Sequence, residues 1–408
     1  MMRASVAGRS AAPAARRPMA RQALVGRTGD AVQLAGHVHP APPAELAGGA
    51  PQRQVAAQEV ASLAAKADKA VAVQPAEATG PLAQLAAAPP AYIAGGVGLV
   101  ALLAVGLQKA FSRGSRTYDG NVGDEYDAWT EEGILEYYWG EHIHLGYYNE
   151  EERKRGYLKK DFKVAKKDFV DEMLRFAGCA KEPKTILDVG CGIGGTTRIL
   201  AKKFPNAKCV GITLSPNQVQ RATELAKEQG LTNVEFRVMN ALEMEFEPNQ
   251  FDLVWGCESG EHMPDKKAYV DEMARVLAPG GSLVIACWCQ REEGDRPFTQ
   301  AEKDELQFLY DEWAHPFFIS KELFAKYCAD TGLSQIVDED WCRETIDSWR
   351  HSIWVGVFDP WIVIWKGLTR GPWIWWKVIR EIVTLERMHR AFDKGLMEYG
   401  MIRATKAA

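Results

Sequence analysis

The chain has 408 residues, 47% of them hydrophobic and 25% charged, with a formal net charge of -5. That composition belongs to a globular protein with room for one large or two ordinary domains. The acidic balance argues against a nucleic-acid partner, which a basic surface would attract. The eight cysteines are scattered between Cys179 and Cys342 without a CxxC pair, so they read as free thiols in a reducing compartment.

Residues 1–90 open with "MMRASVAGRSAAPAARRPMARQALVGR", rich in Ala, Arg and Ser and free of acids. This is the composition of an organelle transit peptide, and the Ala/Pro/Gln-rich stretch up to Pro90 reads as a linker. The uncharged run "AYIAGGVGLVALLAVGL", residues 91–107, is at the short end for a membrane span and is followed by Lys109 and Arg113. Three readings stand for it: an anchor, a membrane-targeting part of the leader, or a buried helix.

From Tyr118 onward the chain has the pattern of a folded core, expected to reach residue 290. The aromatic segment "ILEYYWGEHIHLGYY" precedes a charged helical stretch from Glu150 to about Gly178. Short apolar strands then alternate with amphipathic helices: "TILDVGC", "KCVGITL", "VEFRVMNA", "FDLVWGCES" and "GSLVIACWC" are the strands. Alternation of this kind predicts an α/β fold, a parallel sheet with helices on both faces. Gly230 is placed to close the helix in "PNQVQRATELAKEQG". Beyond Arg291 aromatics multiply, and residues 291–408 are expected to form a substrate-side lid.

The most informative stretch is "ILDVGCGIGGTTRIL", a strand, a bare glycine loop and a helix start. Gly190, Gly192 and Gly195 fit GxGxxG, which would suit a dinucleotide. Asp188 argues otherwise, because a carboxylate beside a pyrophosphate costs Coulomb energy. The next strand also ends in "GITLSP", without the acid a dinucleotide ribose wants. S-adenosylmethionine, with its sulfonium and ammonium, turns the carboxylate into an asset, and glycines let backbone approach its methionine end.

Together, "ILDVGCGIGG", "VGITLSPNQVQRA", "FDLVWGCESGEHMPDK" and "LAPGGSLVIACWC" resemble the class I methyltransferases. More narrowly they resemble the gamma-tocopherol methyltransferases of plastids and their sterol and plant N-methyltransferase relatives, and "WGEHIHLGYY" resembles that group's segment before the cofactor loop. The resemblance implies a Rossmann-like, mostly parallel seven-stranded sheet with a helical lid. It implies S-adenosylmethionine as cofactor, with Asp188, Gly190, Cys191 and Gly192 at its methionine end. Thr213, Leu214 and Gln218 would lie at the ribose, and Asn240 and Ala241 at the adenine. Asn240 stands where that group usually has Asp; its side-chain oxygen keeps an acceptor for the exocyclic amine.

Glu258, Glu261 and His262 cluster at the end of the "FDLVWG" strand, where open parallel sheets bind ligands. Methylation of a phenolic ring on carbon requires one general base. Glu261 or His262 is the expected base and Glu258 a pocket wall; the alternative is that Glu261 and His262 cap the next helix. Tyr138, Trp139, His142 and His144 are expected to close over the cofactor, with no metal site. "FDPWIVIWKGLTRGPWIWWKVIREIV", broken by Gly367, Gly371 and Pro372, is expected to dock on a membrane and admit a prenyl-tailed substrate.

The expected activity is C-methylation of a tocopherol-like chromanol in a plastid, at the envelope or thylakoid membrane. A sterol C-methyltransferase, a small-molecule N-methyltransferase and a cofactor-binding protein without turnover are the alternatives.

Overall fold

The computed structural model describes residues 133–313 and 315–408, so the transit leader, the linker and the apolar segment at 91–107 lie outside the described residues. Among the described residues three α-helices precede the sheet: α1 (Ile134–Trp139), α2 (Glu150–Arg155) and α3 (Phe162–Ala177). The single helix expected from Glu150 to Gly178 is therefore two. Gly156, at φ 93°, ends α2, and Asp161 starts α3 afresh by accepting the Val164 N–H at 2.8 Å.

The alternating core follows: β1 (Thr185–Val189), α4 (Gly195–Lys203), β2 (Lys208–Thr213), α5 (Pro216–Glu228), β3 (Val234–Val238), β4 (Phe251–Cys257), α6 (Lys266–Val276) and β5 (Leu277–Gln290). Local chemistry explains the boundaries. Ser215 caps α5 by accepting the Gln218 N–H at 3.0 Å, Pro216 occupies its first position, and Gly230 turns the chain out at φ 68°. The third part holds α7 (Gln300–Trp313), α8 (Lys321–Asp330), β6 (Ser334–Asp340), α9 (Cys342–Thr345), α10 (Asp347–Phe358), α11 (Trp361–Arg370), α12 (Trp373–Asp393) and β7 (Met397–Thr405).

The strands form one seven-stranded sheet in the order β3-β2-β1-β4-β5-β7-β6. β1 to β5 are parallel, and β7 runs antiparallel between β5 and β6. The 291–408 region is thus not all lid: two of its strands complete the sheet. Helices cover both faces. Trp255, Trp349, Phe169 and Met388 centre one core, and Tyr269, Met273, Phe324 and Ile285 the other. The chain order reverses between β1 and β4, which opens a crevice at their carboxyl ends.

Gly371, at φ 119°, and Pro372 separate α11 from α12, as expected. Gly367 does not break the segment. It lies inside α11, where a Cβ would overlap the Trp375 indole, so it is the point at which the two helices can approach. Ion pairs from Arg380 to Glu312 and from Arg387 to Glu305 tie α12 to α7.

Candidate active site

At the reversal point Asp188, one residue before the end of β1, is almost wholly buried, and the Thr197 hydroxyl donates to its Oδ2 at 2.6 Å. The N–H groups of Gly190 and Cys191 both donate to the Ile212 carbonyl at 2.9 Å, which folds the glycine loop back over β2. Gly192 has φ 53° and nothing within 4 Å of where a Cβ would stand, so its bare face borders open space. That space is a cavity of about 270 Å³, and all nine expected cofactor residues, from Asp188 to Ala241, line it.

The polar groups of this cavity are partly pre-set. Thr213 donates to Gln218 Oε1 at 2.7 Å and accepts the Ser215 N–H at 3.3 Å, which leaves one lone pair on the Thr213 oxygen and the Gln218 amide nitrogen as a donor. Asn240 is exposed, and its Oδ1 already accepts the Leu242 N–H at 3.0 Å. Burial raises the Asp188 carboxyl to about 6, against the lowering effect of the Thr197 hydrogen bonds. A carboxylate that the fold leaves electrically uncompensated suits a cationic ligand. The Gly192 cradle and this donor set fit a sulfonium nucleoside and disfavour a pyrophosphate.

A second cavity, of about 410 Å³, is walled mainly by apolar side chains, among them Tyr138, Trp139, Trp288, Trp313, Ile374 and Leu385. Ile143, Glu258 and His262 border both cavities. The segment from Tyr138 to His144 therefore serves two spaces. His142 and His144 face the first cavity, whereas Tyr138 and Trp139 wall the second and not the cofactor space expected for them. Arg198 holds this segment down through Glu141 at 2.6 Å, and the absent Cβ of Gly195 admits the Glu141 carbonyl. His144 Nδ1 bonds the Leu145 carbonyl at 2.8 Å, and its Nε2 lies 3.3 Å from His142 Nδ1. Burial keeps both rings neutral and lowers His144 to about 3. Among the described residues no group of His, Cys, Asp and Glu could hold a metal ion.

Glu258 follows β4 at φ 48°, a left-handed conformation uncommon outside glycine. Its N–H donates to the Ala286 carbonyl at 2.7 Å, and its Oε1 accepts from the Leu145 N–H at 2.8 Å and the Tyr399 hydroxyl at 2.6 Å. Desolvation raises its carboxyl to about 7, with the Leu145, Tyr399 and Trp288 donors and the Lys166 charge pulling the other way. Glu261 is fully buried and borders the second cavity alone. Its Oε1 accepts the Trp288 N–H at 3.3 Å, and its Oε2 has no partner. Burial, then the charge of Glu258, push this carboxyl well above its usual range. His262 stacks on His315 at 4.2 Å, and burial lowers it to about 3. Neither Glu261 nor His262 caps α6. Asp265 does, accepting the Ala268 N–H at 2.9 Å.

Sequence reasoning missed Tyr399 and Leu145. Tyr399 sits 141 residues from Glu258 on a strand without an alternating signal, and Leu145 acts through its backbone.

Residues 180–340 match the methyltransferase domain family. The chain is 42% identical over 324 residues to 2-methyl-6-phytyl-1,4-hydroquinone methyltransferase of Synechocystis sp., covering 78% of this chain and 98% of that protein. It is 36% identical to the chloroplastic tocopherol O-methyltransferase of Arabidopsis thaliana, over 67% of this chain and 79% of that protein. The fold is shared with geranyl diphosphate C-methyltransferase from Streptomyces coelicolor, solved with S-adenosyl-L-homocysteine, at TM-score 0.54 and 18% identity, covering 72% of this chain and 99% of that one. Glycine cradle, uncompensated acid and sheet order thus agree with the kinship: this chain belongs to the tocopherol-pathway family of class I S-adenosylmethionine-dependent methyltransferases.

Proposed function

We propose that this enzyme methylates a ring carbon of a prenyl-tailed phenol, most simply the chromanol ring of a tocopherol of the gamma type. The observation that carries this reading is the meeting of an apolar cavity with the cofactor cavity at Ile143, Glu258 and His262. Asp188, Gly190, Cys191 and Gly192 would hold the methionine end of S-adenosylmethionine. Thr213, Leu214 and Gln218 would hold the ribose, and Asn240 and Ala241 the adenine. The bound cofactor supplies an electrophilic methyl group.

Replacing hydrogen by methyl on an aromatic carbon releases a proton. Glu258 stands at the junction and receives it, its Oε1 being held by Leu145 and Tyr399. A carboxyl near 7 suits a general base at neutral pH better than His262, lowered to about 3, or Glu261, whose carboxyl burial pushes well above its usual range. The expectation of Glu261 or His262 as base thus gives way to Glu258. Tyr138, Trp139, Trp288 and Trp313 exclude water and stack against the ring.

The tail is read as coming from a bilayer. Phe358, Trp361, Trp365 and Leu368 are 66–72% exposed on one stretch of α10 and α11, with Arg370 close by. Val357 and Ile382 are exposed and also line the apolar cavity, so that cavity is continuous with the greasy face. No described helix is long and apolar enough to cross a membrane. The plastid envelope or thylakoid is the proposed site, in keeping with the chloroplastic names of the plant relatives.

A second reading, a prenylated hydroquinone as acceptor, is favoured by the Synechocystis relative, matched over 98% of its length. Transfer of label from tritiated cofactor to a panel of tocopherols, prenylated hydroquinones, sterols and amines tests both. Ring-carbon methylation of a phenol is expected. Methylated sterol or amine with no phenol product would overturn the reading.

A further inference from the structure

Lys166 is wholly buried on α3, and its amine donates to the Trp139 carbonyl at 3.1 Å and to the His142 carbonyl at 2.9 Å. Its Nζ also stands 3.7 Å from the centroid of the Trp139 ring and 4.3 Å from that of Phe162. Two carbonyl oxygens and two ring faces all present negative charge, so the place is built for an ammonium. Lysines are almost never fully buried without a reason of this kind. Filling the space needs only an apolar chain of equal length, so the amine is explained by what it holds.

The two carbonyls bracket the turn at Gly140 and Glu141. Before the turn, Trp139 walls the second cavity; after it, His142 walls the cofactor cavity and Ile143 borders both. Three residues beyond His142, the Leu145 N–H holds Glu258 Oε1 at 2.8 Å. One side chain thus ties to α3 the short stretch that parts the two spaces and reaches the proposed base.

We propose that Lys166 is a positioning residue for methyl transfer: its ammonium sets the turn between Trp139 and His142, and with it the wall between the two cavities and the reach of Leu145 to Glu258. The catalytic part of this rests on the reading of Glu258 as the base of a phenol methyltransferase. The ammonium also acts on Glu258 through space. It favours the carboxylate, as the Leu145, Tyr399 and Trp288 donors do, while Cys257 and Glu261 are the neighbouring acids. Burial lowers the amine well below the ordinary lysine range, the Glu258 charge raises it and Lys163 lowers it. His142, His144 and His351 are the other titratable rings that feel the Lys166 charge, and it lowers all three.

The test uses the full chain with two neutral variants, read by calorimetry with S-adenosylhomocysteine and by the pH profile of kcat/KM with gamma-tocopherol. Lys166→Met keeps the length and loses both donors and charge. It is expected to weaken S-adenosylhomocysteine roughly threefold or more. Lys166→Gln loses the charge and keeps a donor, so affinity should stay within about twofold of wild type. Both should move the acid limb to higher pH by roughly half a unit or more, because a carboxylate that loses a nearby cation holds its proton more tightly. A purely structural lysine would leave that limb where it is. Should one variant fail to fold, the other still reports the limb. Wild-type affinity in Lys166→Met, or an acid limb that stays in place in a folded variant, overturns the proposal and leaves the phenol reading standing. A wild type that does not turn over the phenol overturns that reading instead, while the affinity of Lys166→Met still tests the anchor.

Discussion

Tyr399 donates its phenolic hydrogen to Glu258 across 2.6 Å, joining the last strand of the sheet to the residue that follows β4. The bond stabilises the ionised carboxyl, as does the Leu145 N–H, while desolvation raises that carboxyl to about 7. Deleting the donor must raise it further. Tyr399→Phe is therefore expected to move the acid limb of the kcat/KM profile to higher pH. Activity at neutral pH should fall several-fold and recover in alkali, with cofactor affinity unchanged. An acid limb that stays in place would separate Tyr399 from the base.

Glu258→Gln removes the proposed base but keeps its shape. A loss of kcat of about 10²-fold or more is expected, the usual scale for general-base removal, with S-adenosylmethionine still binding in a calorimeter. Retained turnover would move the proton to another group.

The cofactor cavity should show its charge through Asp188. Its carboxyl is raised from 3.8 to about 6 in the fold, so the folded chain binds this proton more tightly than the unfolded one. This group is expected to lower stability as pH rises from about 3.8 to about 6, and Asp188→Asn should raise the melting temperature of the free protein at pH 7. The same substitution should weaken S-adenosylmethionine roughly tenfold or more. In wild type, affinity for the cationic cofactor should fall as pH drops through 6, while the Asn variant loses that dependence. Calorimetry across pH reads both effects.

Gly195→Ala would put a methyl group into the Glu141 carbonyl, which closes over the glycine loop. A backbone neighbour cannot turn aside as a side chain can, so a loss of about 1–3 kcal/mol is expected in urea unfolding. The displaced segment carries His142, Ile143 and His144 in the cofactor wall, so cofactor affinity should drop as well.

Membrane docking should depend on the exposed indoles. Replacing Trp361 and Trp365 together by Gln is expected to reduce flotation with anionic liposomes several-fold while cofactor affinity stays the same. Equal flotation of the double variant would remove this face from the interface.

Much of this enzyme is legible in its order of residues. The runs around "ILDVGCG" and "KCVGITL" are apolar on both faces because parallel strands are covered on both sides, and such runs are readable without coordinates. The cofactor wall is legible for a related reason: its residues sit on consecutive βα loops, so chain position and place in the crevice coincide. Packing alone settled the rest. β6 carries Asp338, Glu339 and Asp340 along an exposed edge, and β7 is enclosed on both sides, so neither shows the expected alternation. The Glu258–Tyr399 bond and the division of the N-terminal segment between two cavities both join residues far apart along the chain. Nothing in their spacing announces them, because what unites them is the desolvation and close approach that a completed sheet and its covering helices impose.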